Sequence, residues 1–493
     1  MLNQRDLEMA GYCASVGLSQ DGPYDRRGCN GVIMATTLDR TENQPRPARD
    51  HCLAPSRTIE NALGDHRYTR MFPELPHLNI DPPLLHAIGR AGGACDTMNS
   101  TRQEARTVAA GWPAFGQFIA HDITADRSPV THHDDEAMLR NIRSARLNLE
   151  CLYGDGPSGN PYLFTRNDPA KLLLGLNDQG LAEDLPRNQE GIALVGDPRQ
   201  DVHLLVSQMQ VAMIKAHNRL VDRLREDRVA EGDLFDEARR ALTWHYQWIS
   251  LFEFMLTAIG EERARRLMDE GPRFFRPGGA ISIPFEFADA AYRYGHCQIR
   301  QTYRVQRGGD DLRLFPDLIG FRAVPADRVI DWSMLFDLPG GPPALRSRPI
   351  DACLPEALLN LPVAITGEIE DHDYESLAVR DLQRGVATGL PSGESIAKLV
   401  GEEPLRPDEI GLRNFGWSGE TPLWYYLLKE AEVREDGERL GPVGALIVGE
   451  VLLGIVDGDP ESFRSVEPDW TPTLPSRSPG RFTIIDLLVA PKN

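Results

Sequence analysis

The stretch WPAFGQFIAHDIT, Trp112–Thr124, constrains this chain more than any other. Proline at its second position suits the first turn of a helix, where the missing N–H costs nothing. Phe115, Phe118, Ile119 and Ile123 recur at helical spacing and predict an apolar face that has to be covered. Ala114, Gln117 and His121 fall at i, i+3 and i+7 and predict a second stripe of small, amide and imidazole character. Such a stripe leaves a slot for a flat group with a proton acceptor over it. Asp122 points elsewhere, because successive helix residues do not share a face. Taken alone, the same pattern also describes a core helix with one buried histidine.

With 493 residues the chain supports one large or two to three smaller cores, so a slot of this kind can be fully enclosed. A net charge of −20 gives no overall positive footprint for nucleic acid, and none is expected as a partner. The same acidity supplies carboxylates for divalent cations. No stretch approaches the roughly 18 apolar residues of a membrane span. The start MLNQRDLEMAGYC lacks the basic-then-apolar order of a secretory leader. A cytoplasmic location with reduced thiols is therefore the expectation. The seven cysteines, at 13, 29, 52, 95, 151, 297 and 353, show no zinc spacing. Clustering of four of them in the first 95 residues leaves one or two bridges there open.

Residues 1–100 are rich in Gly, Pro, Asn and Asp and read as an irregular wrapping segment with few helices; 101–493 read as one helical domain. Ser128–Asp135 breaks the first helix. Helical periodicity predicts long helices over His203–Asp227, Asp236–Ala258 and Pro284–Val305. Shorter helices are predicted over Leu377–Val386, Ser392–Val400, Pro422–Glu432 and Pro442–Val456. Strand signals are few, Gly191–Val195 among them. The class is mainly α.

Four separated pieces carry residues suited to chemistry: Gln117, His121 and Asp122; Arg199 in GDPR; Arg293 and His296 in RYGH; and Asp381 and Arg384 in RDLQRG. Together with LYGDGPSGNP, HNRL, GLPSG and WYYLLKEAEVREDGERLGPVGALIVGEVLLG, in this order and spacing, the chain resembles the animal-type haem peroxidases of the peroxidase–cyclooxygenase superfamily, especially the bacterial members. The similar stretches run from about Trp112 to Val456. The resemblance implies a helical domain around a buried haem b, with His121 as distal base, Arg199 as the distal cation, Gln117 as a water-ordering amide and His296 as the iron ligand. A haem peroxidase needs such an axial imidazole, a base that moves a proton between the peroxide oxygens, and a fixed positive charge at the departing oxygen. Arg199 has the alternative of pairing with Asp197 or Asp201. His217 in HNRL reads as structural.

Three departures from the family pattern matter. Asp381 stands where relatives carry Asn against the proximal imidazole. A carboxylate there makes the ring more anionic and lowers the iron potential, unless Asp381 pairs with Arg380 or Arg384. Ala120 and Val202 stand where mammalian members attach haem through esters, so the haem is expected to be non-covalent, with Arg293 or Arg384 at its propionates; Asp201 is the one neighbour that offers a link. A calcium site is implied at Asp122 with Ser144, the Arg146 carbonyl, Asn148 and Glu150. There Asn148 replaces an Asp and Glu150 restores the charge; the alternative is a loop of solvated polar residues. The activity expected is reduction of hydrogen peroxide at the expense of a small organic or halide donor. A fatty-acid dioxygenase, or a haem-binding protein without catalysis, is the alternative. The residue three before His296 is Arg293, where cyclooxygenases place a tyrosine.

Overall fold

A computed structural model describes residues 67–125, 139–277 and 281–489. The expected helix break at Ser128–Asp135, and Cys13, Cys29 and Cys52, lie outside them. The described residues belong to one unit that runs from Cys52 to Asn493. Its described residues form helices and, among them, a single two-stranded antiparallel pairing of β1 (Thr302–Tyr303) and β2 (Leu312–Arg313). The mainly α class holds.

Helix α1 is Pro82–Gly89 and α2 is Trp112–Ile123. The long α3, Leu204–Glu226, and α4, Leu234–Ile249, pack side by side, and α2 lies against α3. His203 caps α3 by accepting from the Val206 N–H, so the predicted start is displaced by one residue. α4 passes through a π-helical turn, Ser250–Phe254, into Met255–Ile259, and α5 is Glu261–Glu270. In the second half come α6 (Leu377–Ala387), α7 (Gly393–Val400), α8 (Leu423–Glu435) and α9 (Pro442–Asp457). α9 is buried almost all round, from Val443 to Val456, as a helix without a polar face has to be. Its one interior acid, Glu450, accepts the N–H groups of Phe274 and Phe275. Among the described residues no helix is long and apolar enough to cross a membrane.

The predicted third long helix, Pro284–Val305, does not form. A short turn, Phe285–Ala288, is followed by a 3-10 helix, Ala291–His296, and then by β1. The break falls at Ala290, whose backbone (φ −139°, ψ −71°) leaves the helical region. Gly191–Val195 forms no strand; Ala193 makes only an isolated bridge to Arg187. Within residues 67–100, α1 packs on α6. The contact is close because Gly89 has no side chain: a Cβ there would lie 2.8 Å from the Val379 backbone nitrogen. Ser376 caps α6 and donates to the Gly89 carbonyl at 2.6 Å. Thus α6, which carries Asp381, is fixed at its N-terminus.

Candidate functional site

The apolar face of α2 is buried as its spacing requires, with Phe115, Phe118, Ile119 and Ile123 all at 0 % exposure. Its opposite side lines a cavity of about 330 Å³ through Pro113, Gly116, Gln117, Ala120, His121 and Thr124. The stripe differs from the expected one by Ala114, which packs into the core. Gly116 and Ala120 supply the missing bulk that opens the slot. Phe254, carried by the π turn, closes against Gly116, as such turns commonly do at functional sites.

His121 is buried, and its Nδ1–H donates to the Gln200 amide oxygen at 3.2 Å. That bond fixes the tautomer and leaves Nε2 as the unprotonated nitrogen. Burial, then the neighbouring Arg199 charge, lower the His121 pKa to about 3. Arg199 follows the sequence Asp197-Pro198, in which Asp197 caps a 3-10 turn and Pro198 occupies its first position. The guanidinium pairs with Asp197 through Nε (3.0 Å) and Nη2 (2.8 Å), so the pairing alternative for Arg199 is realised while the residue still lines the cavity. Nη2 also donates to the carbonyls of Thr124 (2.6 Å) and His121 (3.3 Å) and so caps the C-terminus of α2. Burial raises the Asp197 carboxyl, but Arg199 and Arg143 outweigh it and hold it well below the usual range. Gln117 accepts from His203 Nε2 at 2.9 Å, which turns its NH₂ group free of that bond.

The facing wall comes from the 3-10 helix. With three residues per turn, side chains at i and i+3 eclipse, and Arg293 and His296 therefore reach the same partner. His296 Nδ1 bonds Asp381 Oδ2 at 2.6 Å, and Arg293 Nη1 bonds Asp381 Oδ1 at 2.8 Å. Asp381 is completely buried. Burial alone would raise its carboxyl; His296 and Arg293 together hold it below the ordinary value. Neither of the alternatives at Arg380 and Arg384 is its partner in these bonds. Arg384 pairs with Asp289 and does not line the cavity, and Arg293 is committed to Asp381 and the Ala288 carbonyl.

Among the described residues His121 and His296 each use Nδ1 for their side-chain hydrogen bond, and both line the cavity. The remaining lining is largely apolar, with Phe287, Ile299, Leu314, Phe315, Leu361 and Leu377, and includes no Asp or Glu among the described residues. A slot walled by two imidazoles with free Nε2 atoms and apolar sides fits a haem. Ala120 and Val202 line it, whereas Asp201 is turned away onto Arg187 at 2.6 and 2.7 Å.

The implied calcium donors do not fit that ion. Asp122 accepts the backbone N–H groups of Leu149 (2.9 Å) and Cys151 (3.2 Å). Asn148 turns its NH₂ onto Ser144 Oγ (3.0 Å) and its oxygen onto the Glu150 N–H. Glu150 is taken by the Arg143 guanidinium (3.1 Å) and the Ser144 N–H. Arg146 points its side chain to Asp459. A guanidinium and an amide NH₂ occupy positions where a hard cation needs oxygens.

Gln200 and His203 were not marked by the sequence. Gln200 adjoins Arg199, and His203 stands where a helix N-cap belongs, which is the one signal that either offers. Cys95, Cys151, Cys297 and Cys353 are buried free thiols.

Four buried histidines have pKa values lowered from 6.5, first by burial: His121 to about 3, and His203, His217 and His245 to about 4 each. The neutral ring is built in, since His217 accepts from Tyr153 and His245 accepts from the Thr473 and Leu474 N–H groups. An unfolded chain takes up these protons near pH 6.5, whereas the folded chain does not until pH is far lower. Their contribution is therefore complete above pH 6.5 and is lost as pH falls, on the order of 2 kcal/mol per histidine by pH 5. Urea midpoints measured from pH 7 to 5 should decline steadily; a flat profile would contradict buried neutral rings.

The comparisons with known proteins bear on family and fold. Residues 131–315 match the family model of animal haem peroxidases. Heme peroxidase 2 of Caenorhabditis elegans is 24% identical over 293 residues, which cover 55% of this chain and 40% of that protein, so the chain spans about two fifths of its relative's length. In fold, peroxidase A from Dictyostelium discoideum aligns with a TM-score of 0.60 at 15% identity, over 81% of this chain and 89% of that one. Fatty acid alpha-dioxygenase of Oryza sativa aligns at 0.57 and 15% identity (77% and 72%), and that of Arabidopsis thaliana at 0.54 and 14% (78% and 71%). Over residues 131–315 the chain is similar to the animal haem peroxidases, and its helical architecture is similar to that of peroxidase A and of the alpha-dioxygenases.

Proposed function

We propose that the chain is a haem peroxidase that reduces hydrogen peroxide with oxidation of a small organic or halide donor. The observation that carries this reading is the Gln200–His121 bond, which presents an unprotonated Nε2 in the same cavity as Arg199. His296 would hold the iron of a haem in this slot, and that group would supply the electrons needed to cleave the O–O bond. His121 Nε2 accepts the proton of the nearer peroxide oxygen and returns it to the departing one. Arg199 holds positive charge beside that oxygen, and its bonds to the α2 carbonyls keep it there. Gln117, oriented by His203, offers its NH₂ to peroxide or water. His296 is oriented by Asp381, as an outer carboxylate orients a metal-binding histidine. Among the described residues no carboxylate lines the slot, so the haem it would take is non-covalent haem b. Acidic organic extraction should recover all haem free of polypeptide; haem retained on the chain would disprove this.

Fatty-acid oxygenation is the second reading, favoured by one feature. Tyr292 lines the cavity, and its buried hydroxyl has no hydrogen-bond partner among the described residues. Two assays on the haem-loaded protein separate the readings. Peroxide-dependent oxidation of a phenolic donor, without oxygen uptake on linoleate, is expected. Linoleate-driven oxygen uptake that disappears in Tyr292→Phe would transfer the assignment to an oxygenase.

A further inference from the structure

The loop between Ser144 and Cys151 joins α2 to the turn that carries Arg199, and its interior holds a cation that belongs to the chain. Arg143 is 5 % exposed. Its Nη1 bonds Glu150 Oε1 at 3.1 Å; its Nη2 bonds Asp197 Oδ2 at 2.5 Å and the Gly196 carbonyl at 3.1 Å. Asp197 is the carboxylate that grips Arg199 from its other side. The result is an alternating row of buried or half-buried charges, Glu150, Arg143, Asp197 and Arg199, that ends at the cavity. Asp122, the neighbour of His121, ties the same loop to α2 through the Leu149 and Cys151 N–H groups. Two residues of the loop without glycine's freedom, Ala145 (φ 54°) and Leu149 (φ 58°), hold left-handed backbone, which persists only where surrounding bonds enforce it.

We propose that Arg143 is the structural cation of this junction: its forked guanidinium joins the 144–151 loop to the Asp197 turn without a metal ion and, through Asp197, positions Arg199 at the cavity. Planar two-sided pairing of this kind is available to arginine and not to lysine, whose ammonium is a single point charge. A divalent ion at the same place would sit against the guanidinium and would find Glu150 already engaged.

The test begins with the unaltered protein, dialysed against EGTA. Calcium by atomic emission should be under about one-tenth of an ion per chain, and the unfolding temperature should be the same in EGTA and in millimolar calcium, because an ion that bound only the folded state would raise it. Stoichiometric calcium, or a fall of several degrees on chelation, overturns the proposal whatever the variants do. Next, Arg143→Lys and Arg143→Met are compared in the haem-loaded chain. Both should unfold at lower temperature, and cyanide affinity of the ferric form should fall about tenfold, the scale of losing an outer partner of a binding group. Added calcium should restore neither. Lower stability with unchanged cyanide affinity would remove the positioning of Arg199. The cyanide arm rests on the haem reading; calcium content and unfolding temperature do not, so the two can fail separately.

Discussion

Replacing His121 by leucine should lower the second-order rate of reaction with hydrogen peroxide by roughly 10³-fold, within the range for a positioned general base, while haem content stays the same. The side chain supplies an unprotonated Nε2 because Nδ1–H is committed to Gln200. Its pKa of about 3 means that the base is present well below neutrality, so the wild-type rate should be level between pH 7 and pH 5. An unshifted imidazole would instead halve the rate near pH 6.5. Stopped-flow mixing with peroxide across that range reads both effects. Gln200→Leu is the companion variant: it frees the tautomer without removing the base, and a wild-type rate in it would deny Gln200 any part in setting the proton.

Asp381→Asn should raise the ferric/ferrous potential of the bound haem. The carboxylate accepts from His296 at 2.6 Å in full burial, where its charge is felt most strongly on the imidazole. An amide of the same shape keeps a hydrogen bond and loses the charge. The shift expected is about 60–120 mV, equivalent to one or two tenfold changes in a one-electron equilibrium. Arg293 tempers the effect in the wild type, since it shares the same carboxylate. A spectroelectrochemical titration that returns an unchanged potential would remove Asp381 from control of the iron.

Local pattern revealed much of this architecture, and the reasons for its failures are specific. Helical spacing located α2, α3, α4 and α6 to α9 within a few residues, because each carries a long apolar stripe or caps that repeat over several turns. Pro284–Val305 carries the same apolar content, yet it folds as a short turn, a 3-10 helix and a strand. A single break at Ala290 decides that outcome, and periodicity does not register it. The consequence is chemical: the tighter turn brings Arg293 and His296 onto one carboxylate.

Long-range partners were the other blind spot. Gln200 lies 79 positions from His121, His203 lies 86 from Gln117, and Arg143 lies 54 from Asp197. Resemblance to a family suggests which residues bear a reaction and is silent on a replacement such as Arg143, because that residue has no counterpart in the expected metal-ligand pattern. The pairing of Arg199 with Asp197 was one of the readings available from sequence, and the fold forms it while Arg199 still lines the cavity.

The proposed placement of a haem between His296 and His121 is tested most directly by haem stoichiometry together with the optical spectrum of the loaded chain and of His296→Gly. The wild type should bind one haem b per chain with the spectrum of a histidine-ligated ferric iron; the variant should lose it and regain it with added imidazole. A variant that binds haem at full stoichiometry with an unchanged spectrum would contradict the assignment of His296, and with it the orientation of the whole site.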